Sequence, residues 1–185
     1  LDLWHPYAIS ADQAVEMALQ AESSGRAFDR RISNSDGASA RHGLVAGAFY
    51  GALLPHARRK GCQLFIADMK VRVEHTGQTY FYYPDLVLAC APDDRETYYR
   101  RSPCLLVEVL SPSTERIDRR EKLFAYQAIP SLREYLLVDP DKRSVEIYRF
   151  GDPVRYETCT EGAFRLDCLD AEITLDEVYA DAEAP

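Results

Sequence analysis

Apolar and polar positions alternate in two rhythms along this chain. At 10–23 (SADQAVEMALQAES) Val15, Met17, Ala18 and Leu19 give a partial apolar face, which predicts a short helix capped by Ser10. Residues 24–41 are rich in Gly, Ser, Asn, Asp and Arg and read as irregular, with a short strand near 28–32. From Gly43 to Lys60 the rhythm is helical: Leu44, Ala48, Gly51, Ala52 and Leu54 form a stripe. Gly43, Gly47 and Gly51 recur every four residues, which suits close packing on a sheet. Pro55 should kink or end this helix, and Gly61 should cap it after three basic residues.

The rhythm then changes to a period of two. Strands are predicted at 63–74, 79–90 and 104–110, with a turn at His75-Thr76-Gly77 and a polar loop at 91–102. Pro84 removes a ladder donor, so an edge, a bulge or a break is expected beside Asp85. The third strand reads as buried on both faces. Ser113 or Thr114 should cap a helix that presents Ile117, Phe124, Ala125 and Ala128 to the core. Asp118, Lys122 and Tyr126 follow one another along the border of its apolar arc, and Glu121 falls inside that arc without an account. Pro130 ends the helix. Strands at 133–138 and 144–150, an antiparallel pair at 154–160 and 163–167, and a helical turn at 175–179 complete the order. The layout is α/β (α+β), with helices flanking a central mixed β-sheet.

Composition narrows the picture. A chain of 185 residues is expected to form one domain over 1–185: an N-terminal helix and irregular segment over 1–41, a core over about 42–150, and C-terminal strands over 154–180. No apolar run reaches the length of a membrane span, and a cytoplasmic protein is expected. The net charge of −8 argues against strong non-specific binding to nucleic acid but leaves room for local basic patches. Five cysteines form no CxxC pair; they read as small buried hydrophobes, not as zinc ligands or a disulfide frame.

The candidate chemistry lies in residues 84–126. Glu108 stands among Leu105, Leu106, Val107, Val109 and Leu110, where a carboxylate needs a cation, a proton or hydrogen bonds. A salt bridge to an arginine, or the open end of the strand, explains it as well as a functional role does. Asp85 also follows a strand-like run. If the two strands are neighbours, Asp85 and Glu108 reach one point, and two carboxylates with waters are the usual ligand set of Mg²⁺. A Pro-Asp turn is the common alternative for Asp85, but it fits less well where strand-like sequence continues on both sides. Lys122 can swing over the sheet end, although taken alone an exposed pair with Asp118 is the favoured reading of it. Asp118 reads as a cap or ion-pair partner. Tyr126 reads as packed at the helix edge, with a hydroxyl that could touch a phosphate.

The runs YYPDLVLAC, LLVEVLSPSTERIDRREKLFAY and IPSLREYLLVDP resemble the Uma family of restriction-endonuclease-like proteins, placed in the PD-(D/E)xK nuclease superfamily. The resemblance extends to DGASARHG at 36–43, which contains His42, and to IADMKVRV at 66–73. It implies a restriction-endonuclease-like core and hydrolysis of DNA phosphodiesters with Mg²⁺, or Mn²⁺ in its place. Asp85 and Glu108 would be metal ligands, together with the backbone carbonyl of Val109. The superfamily lysine belongs at position 110, where this chain has leucine, and Lys122 is the position that matches instead. Asp29, His42, Asp118 and Tyr126 are accessory candidates; the segment FDRRISNSDGAS around Asp29 is shorter than the element many relatives carry. The resemblance also implies a homodimer. The competing readings are a catalytically degenerate member that binds nucleic acid or a protein without cleavage, and a hydrolase of another phosphoester.

Overall fold

The computed structural model describes residues 39–183 except Thr76, Ser113 and Thr114. The expected helix at 10–23, the strand near 28–32, Asp29 and the two candidate caps Ser113 and Thr114 lie outside the described residues. The chain divides into two compact units, Leu1–Asp36 and Gly37–Pro185, and the fold is that of the second.

Helix α1 spans Ala40–Lys60. The Ser39 side chain accepts a hydrogen bond from the His42 amide, which occupies one of the unsatisfied donors of the first turn. Gly61 closes the helix at φ 68°, a conformation that suits glycine. Two expectations change here. The helix runs through Pro55, because Pro55 and Gly51, one turn back, both face solvent, where water can serve the carbonyl the proline leaves unbonded. The glycines do not pack on the sheet: a Cβ at Gly43, Gly47 or Gly51 would meet nothing within 4 Å. The buried stripe is Val45, Phe49, Leu53 and Ala57, and Leu44 is exposed.

The central sheet has six strands in the order β1–β4–β6–β7–β8–β9. These are β1 (Gln63–Ile66), β4 (Leu86–Ala89), β6 (Pro103–Val109), β7 (Glu134–Asp139), β8 (Ser144–Arg149) and β9 (Arg155–Cys159). Only β6 and β7 run parallel; the other neighbours are antiparallel, so the sheet is mixed. A second sheet has the order β3–β2–β5, from β2 (Lys70–His75), β3 (Gln78–Tyr82) and β5 (Tyr99–Arg100). A third pairs β10 (Ala163–Leu166) with β11 (Ala171–Thr174).

Several strand boundaries differ from those expected. The run 63–74 is two strands, broken where Ala67 takes φ 64°. The run 79–90 is also two, broken at Tyr83-Pro84-Asp85, as the proline requires. Short β5 lies within the expected loop. Strands β9 and β10 do not pair with each other; each finds a different partner, β8 and β11.

Period-two alternation places successive residues of one strand in two cores on opposite faces of the sheet. Leu105, Val107 and Val109 of β6 pack with Val45, Phe49 and Leu53 of α1 and with Phe164, Ile173 and Val178. Leu106 and Leu110 pack with Val87, Tyr126, Tyr135 and Leu137 on the other face. By the same alternation Asp85 and Glu108 fall on this second face. Helix α2 covers it, built from Glu115–Ile117, a π-helical turn at Asp118–Lys122, and Leu123–Tyr126. Helix α3 (Leu175–Tyr179) carries a complete capping box between Thr174 and Glu177 and docks by the Tyr179 hydroxyl, which donates to the Asp139 and Ser144 carbonyls. Among the described residues, no helix is long and apolar enough to cross a membrane.

The cysteines depart from expectation. The structure joins Cys62 to Cys90 and Cys104 to Cys168, leaving Cys159 free. Strand pairing brings together residues that are far apart in the chain, which a search for short cysteine spacings does not register.

Candidate active site

Strand pairing assembles the carboxylates. Strands β4 and β6 are antiparallel neighbours with Leu86 opposite Val107, so the residue before β4 and the last residues of β6 meet at one end of the sheet. There the Val109 amide donates to Asp85 Oδ2 at 2.7 Å. The break at Pro84 frees Asp85 from the ladder, and its side chain caps the neighbouring strand. Of the Val109 backbone, it is thus the N–H that reaches Asp85. On its other side Asp85 meets His42 of α1, whose Nε2 lies 3.4 Å from Asp85 Oδ2. That bond to Asp85 holds the imidazole above its ordinary range, against the opposing effect of burial.

Glu108 is 3% exposed, which excludes an open strand end as its explanation, and its cation is no arginine. The Lys122 ammonium lies 2.9 Å from Glu108 Oε1 and 2.8 Å from Asp118 Oδ1. The Tyr126 hydroxyl donates to Glu108 Oε1 at 3.1 Å. Burial pushes the Glu108 carboxyl up to about 8; Lys122 opposes the rise, and Asp118 and Asp85 add to it. Burial alone would lower Lys122, but Glu108 and Asp118 outweigh it and hold the ammonium charged.

The helix wheel turns out to be rotated. Ile117, expected in the core, is exposed, whereas Asp118 and Tyr126 are buried and the Lys122 side chain is only 14% exposed. A regular α-helix through 115–126 would leave Asp118 and Lys122 at the edge of the buried arc. The π-turn over Asp118–Lys122 widens the helix there and rolls both residues under it. The reading of Lys122 as an exposed lysine is therefore wrong. Asp118 does pair, as expected, but inside the protein. Tyr126 sits beneath the helix instead of at its edge, its ring edge-on to Tyr82 and Tyr135. Glu121 accepts a 3.4 Å hydrogen bond from the Tyr82 hydroxyl, which gives it a partner on β3. The Tyr135 hydroxyl donates to the Asp118 carbonyl and ties the π-turn to the sheet.

The structure thus brings together five of the candidates, Asp85, Glu108, Lys122, Asp118 and Tyr126, with His42 beside Asp85. Of the three carboxyl groups, Glu108 and Asp118 share Lys122 and Asp85 faces His42; a divalent cation would take the place of the proton that burial keeps on Glu108. The three do not close into a cage, since their oxygens are not all within 4.8 Å of one another. A hard cation held by two of them keeps several waters, as Mg²⁺ usually does. Asp85 and Glu108 fit that role, with Lys122 anchoring Glu108 from the helix side. Sequence reasoning missed the Tyr82–Glu121 bond, since neither residue signals a partner 39 positions away.

Comparison with known proteins bears on the family and the fold. Residues 22–175 match the family Uma2, described as "Putative restriction endonuclease". The Synechocystis protein slr1290 is 35% identical over 126 residues, covering 68% of this chain and 65% of that protein. The match therefore spans a little under two thirds of that relative's length. A second Synechocystis protein, sll1609, is 29% identical over 143 residues, covering 76% of this chain and 80% of its own. A crystal structure of a "putative nuclease belonging to DUF820" from Anabaena variabilis superimposes with a TM-score of 0.63 at 13% identity, over 78% of this chain and 83% of that one. That likeness concerns the fold: a mixed sheet flanked by helices. With most of its length matched, the chain belongs to the Uma2 family.

Proposed function

We propose that this protein is a Mg²⁺-dependent endonuclease that hydrolyses DNA phosphodiesters. The observation that carries the reading is the buried Glu108–Lys122–Asp118 contact beside Asp85, on a family whose description is that of a restriction endonuclease. A structural ion pair needs one carboxylate for one lysine; here Lys122 meets two, with Asp85 beside them. Asp85 and Glu108 would hold the ion, which when bound supplies a polarised phosphoryl oxygen and a more acidic water. The protein's own part is to fix the carboxylates and place one charge. Val109 N–H orients Asp85, and Tyr126 orients Glu108. Lys122 presents an ammonium at the sheet end, where it can hold the attacking water or stabilise negative charge developing on phosphate. Lys70, over the rings of Phe81 and Tyr83, adds a basic and aromatic surface two residues from Asp85.

A second reading has its own observation. Lys122 already holds two carboxylates, and a closed network of that kind suits a member that binds nucleic acid without cutting it. Incubation with plasmid DNA and Mg²⁺ or Mn²⁺ separates the two. Nicking is expected for the wild type and is expected to vanish in Asp85→Asn, Glu108→Gln and Lys122→Ala. Equal nicking by all four proteins would sink the site assignment; DNA binding by a wild type that never nicks would favour the second reading.

A further inference from the structure

The far end of the sheet holds a second cluster. Asp85 precedes β4 and Cys90 follows it; Glu108 ends β6 and Cys104 begins it. Four residues at about 3.3 Å each put Cys104 on the order of 13 Å from Glu108 along the strand, so the cluster is separate from the carboxylates. Four cysteines converge there from four elements. Cys62 follows the Gly61 cap of α1, Cys90 follows β4, Cys104 lies at the start of β6, and Cys168 lies in the turn between β10 and β11. The Cys90 and Cys104 sulfurs, which are not bonded to each other, are 3.4 Å apart. The sulfurs of Cys90, Cys104 and Cys168 all lie within 4.8 Å of one another, and Cys62 is joined to Cys90.

Two independent disulfide staples have no reason to share one spot. Three sulfurs within 4.8 Å of one another, with a fourth one bond from Cys90, do match a single metal. Tetrahedral Zn²⁺ with Zn–S near 2.3 Å sets its sulfurs about 3.8 Å apart, close to the 3.4 Å between the Cys90 and Cys104 sulfurs. Cys62, Cys90 and Cys104 sit on or directly beside a sheet strand or a capped helix end, and the Cys168 amide donates to Glu134 of β7, so the four are held in place before any metal arrives. The cluster packs against the apolar core on the α1 face, away from Asp85 and Glu108, and the nearby Glu134 carboxylate is taken up by the Asp167 and Cys168 amides.

We propose that, in the reduced chain, Cys62, Cys90, Cys104 and Cys168 bind one Zn²⁺ as a closed structural tetrathiolate. The balance with the paired form is simple. A dithiol reductant gives four electrons and four protons to two disulfides, yielding four thiols; zinc then binds the thiolates and the protons leave to solvent. The site ties the end of α1 and the β10–β11 turn to the sheet, and it offers no open coordination position for catalysis.

The test uses the full chain isolated without oxygen from zinc-supplemented cells. Elemental analysis should give one zinc per chain, and all five cysteines should react as thiols once the protein is denatured with a chelator. Replacement by Co²⁺ should produce the absorption of a tetrahedral cobalt thiolate. Cys159→Ser should keep both the metal and the spectrum, and Cys90→Ser should lose them. The wild-type readings decide the matter even if Cys90→Ser fails to fold. A single reactive thiol per anaerobically isolated chain, five reactive thiols without zinc, or iron with acid-labile sulfide in place of zinc would each overturn the proposal.

Discussion

Exchanging Glu108 for glutamine should change how the protein's stability depends on pH. Glu108 rises from 4.5 to about 8 on folding, chiefly because it is buried. Between those values the folded chain keeps a proton that the unfolded chain has lost. Stability therefore falls as pH climbs through this window, by about 1.4 kcal/mol per pH unit, and levels off above pH 8. The full penalty is on the order of 5 kcal/mol, a large share of the stability of a small domain. Glutamine keeps the shape and an acceptor for the Tyr126 hydroxyl but cannot ionise. Groups that do not touch Glu108 titrate alike in both proteins, so the difference in unfolding free energy reports Glu108 together with Lys122, whose ammonium it helps to hold charged. Urea unfolding from pH 5 to 9, without divalent ions, should show Glu108→Gln gaining on the wild type up to pH 8 and then running parallel to it. Adding Mn²⁺ should stabilise the wild type increasingly over the same range, because the ion competes with the proton. Parallel curves throughout would refute the assignment of Glu108 as a buried, proton-holding metal ligand.

Two further outcomes follow from the same contacts. Lys122→Met leaves Glu108 and Asp118 buried without their cation; above pH 8 it should cost about 3–5 kcal/mol in urea unfolding, and less at pH 5, where Glu108 is protonated. A loss below about 1 kcal/mol at pH 9 would mean that the lysine is not the buried counter-charge. His42, raised by Asp85, contributes its stabilisation fully below pH 6.5 and loses it as pH rises through its folded value. His42→Gln should therefore be most destabilised at pH 5 and approach the wild type in alkaline buffer, and NMR titration of the imidazole should show a midpoint that falls in Asp85→Asn.

Much of the fold could be read from the chain because its signals are local. Gly61 ends α1, Pro84 breaks the strand beside Asp85, and the near-continuous apolar run around Glu108 marks β6 as buried on both faces. What could not be read is set by partners distant in sequence. Nothing near 155–166 says that β9 and β10 each join a different strand, and no spacing rule links Cys62 with Cys90. In the site, Asp85 and Glu108 stood out as carboxylates in apolar runs. Lys122 did not, because a helical wheel assumes 3.6 residues per turn throughout and the chain departs from that at the decisive turn. Only the resemblance to the nuclease family singled it out.

That π-turn is, in effect, one extra residue spliced into a helix. Removing a residue from 119–121 would restore a regular helix and turn everything after it by about 100°. Tyr126 would then leave Glu108, and Lys122 could no longer reach both carboxylates. The lysine's reach into the sheet therefore depends on the count of residues ahead of it as well as on its identity. A single deletion in this exposed stretch could disarm the site while every candidate residue is still present in the sequence.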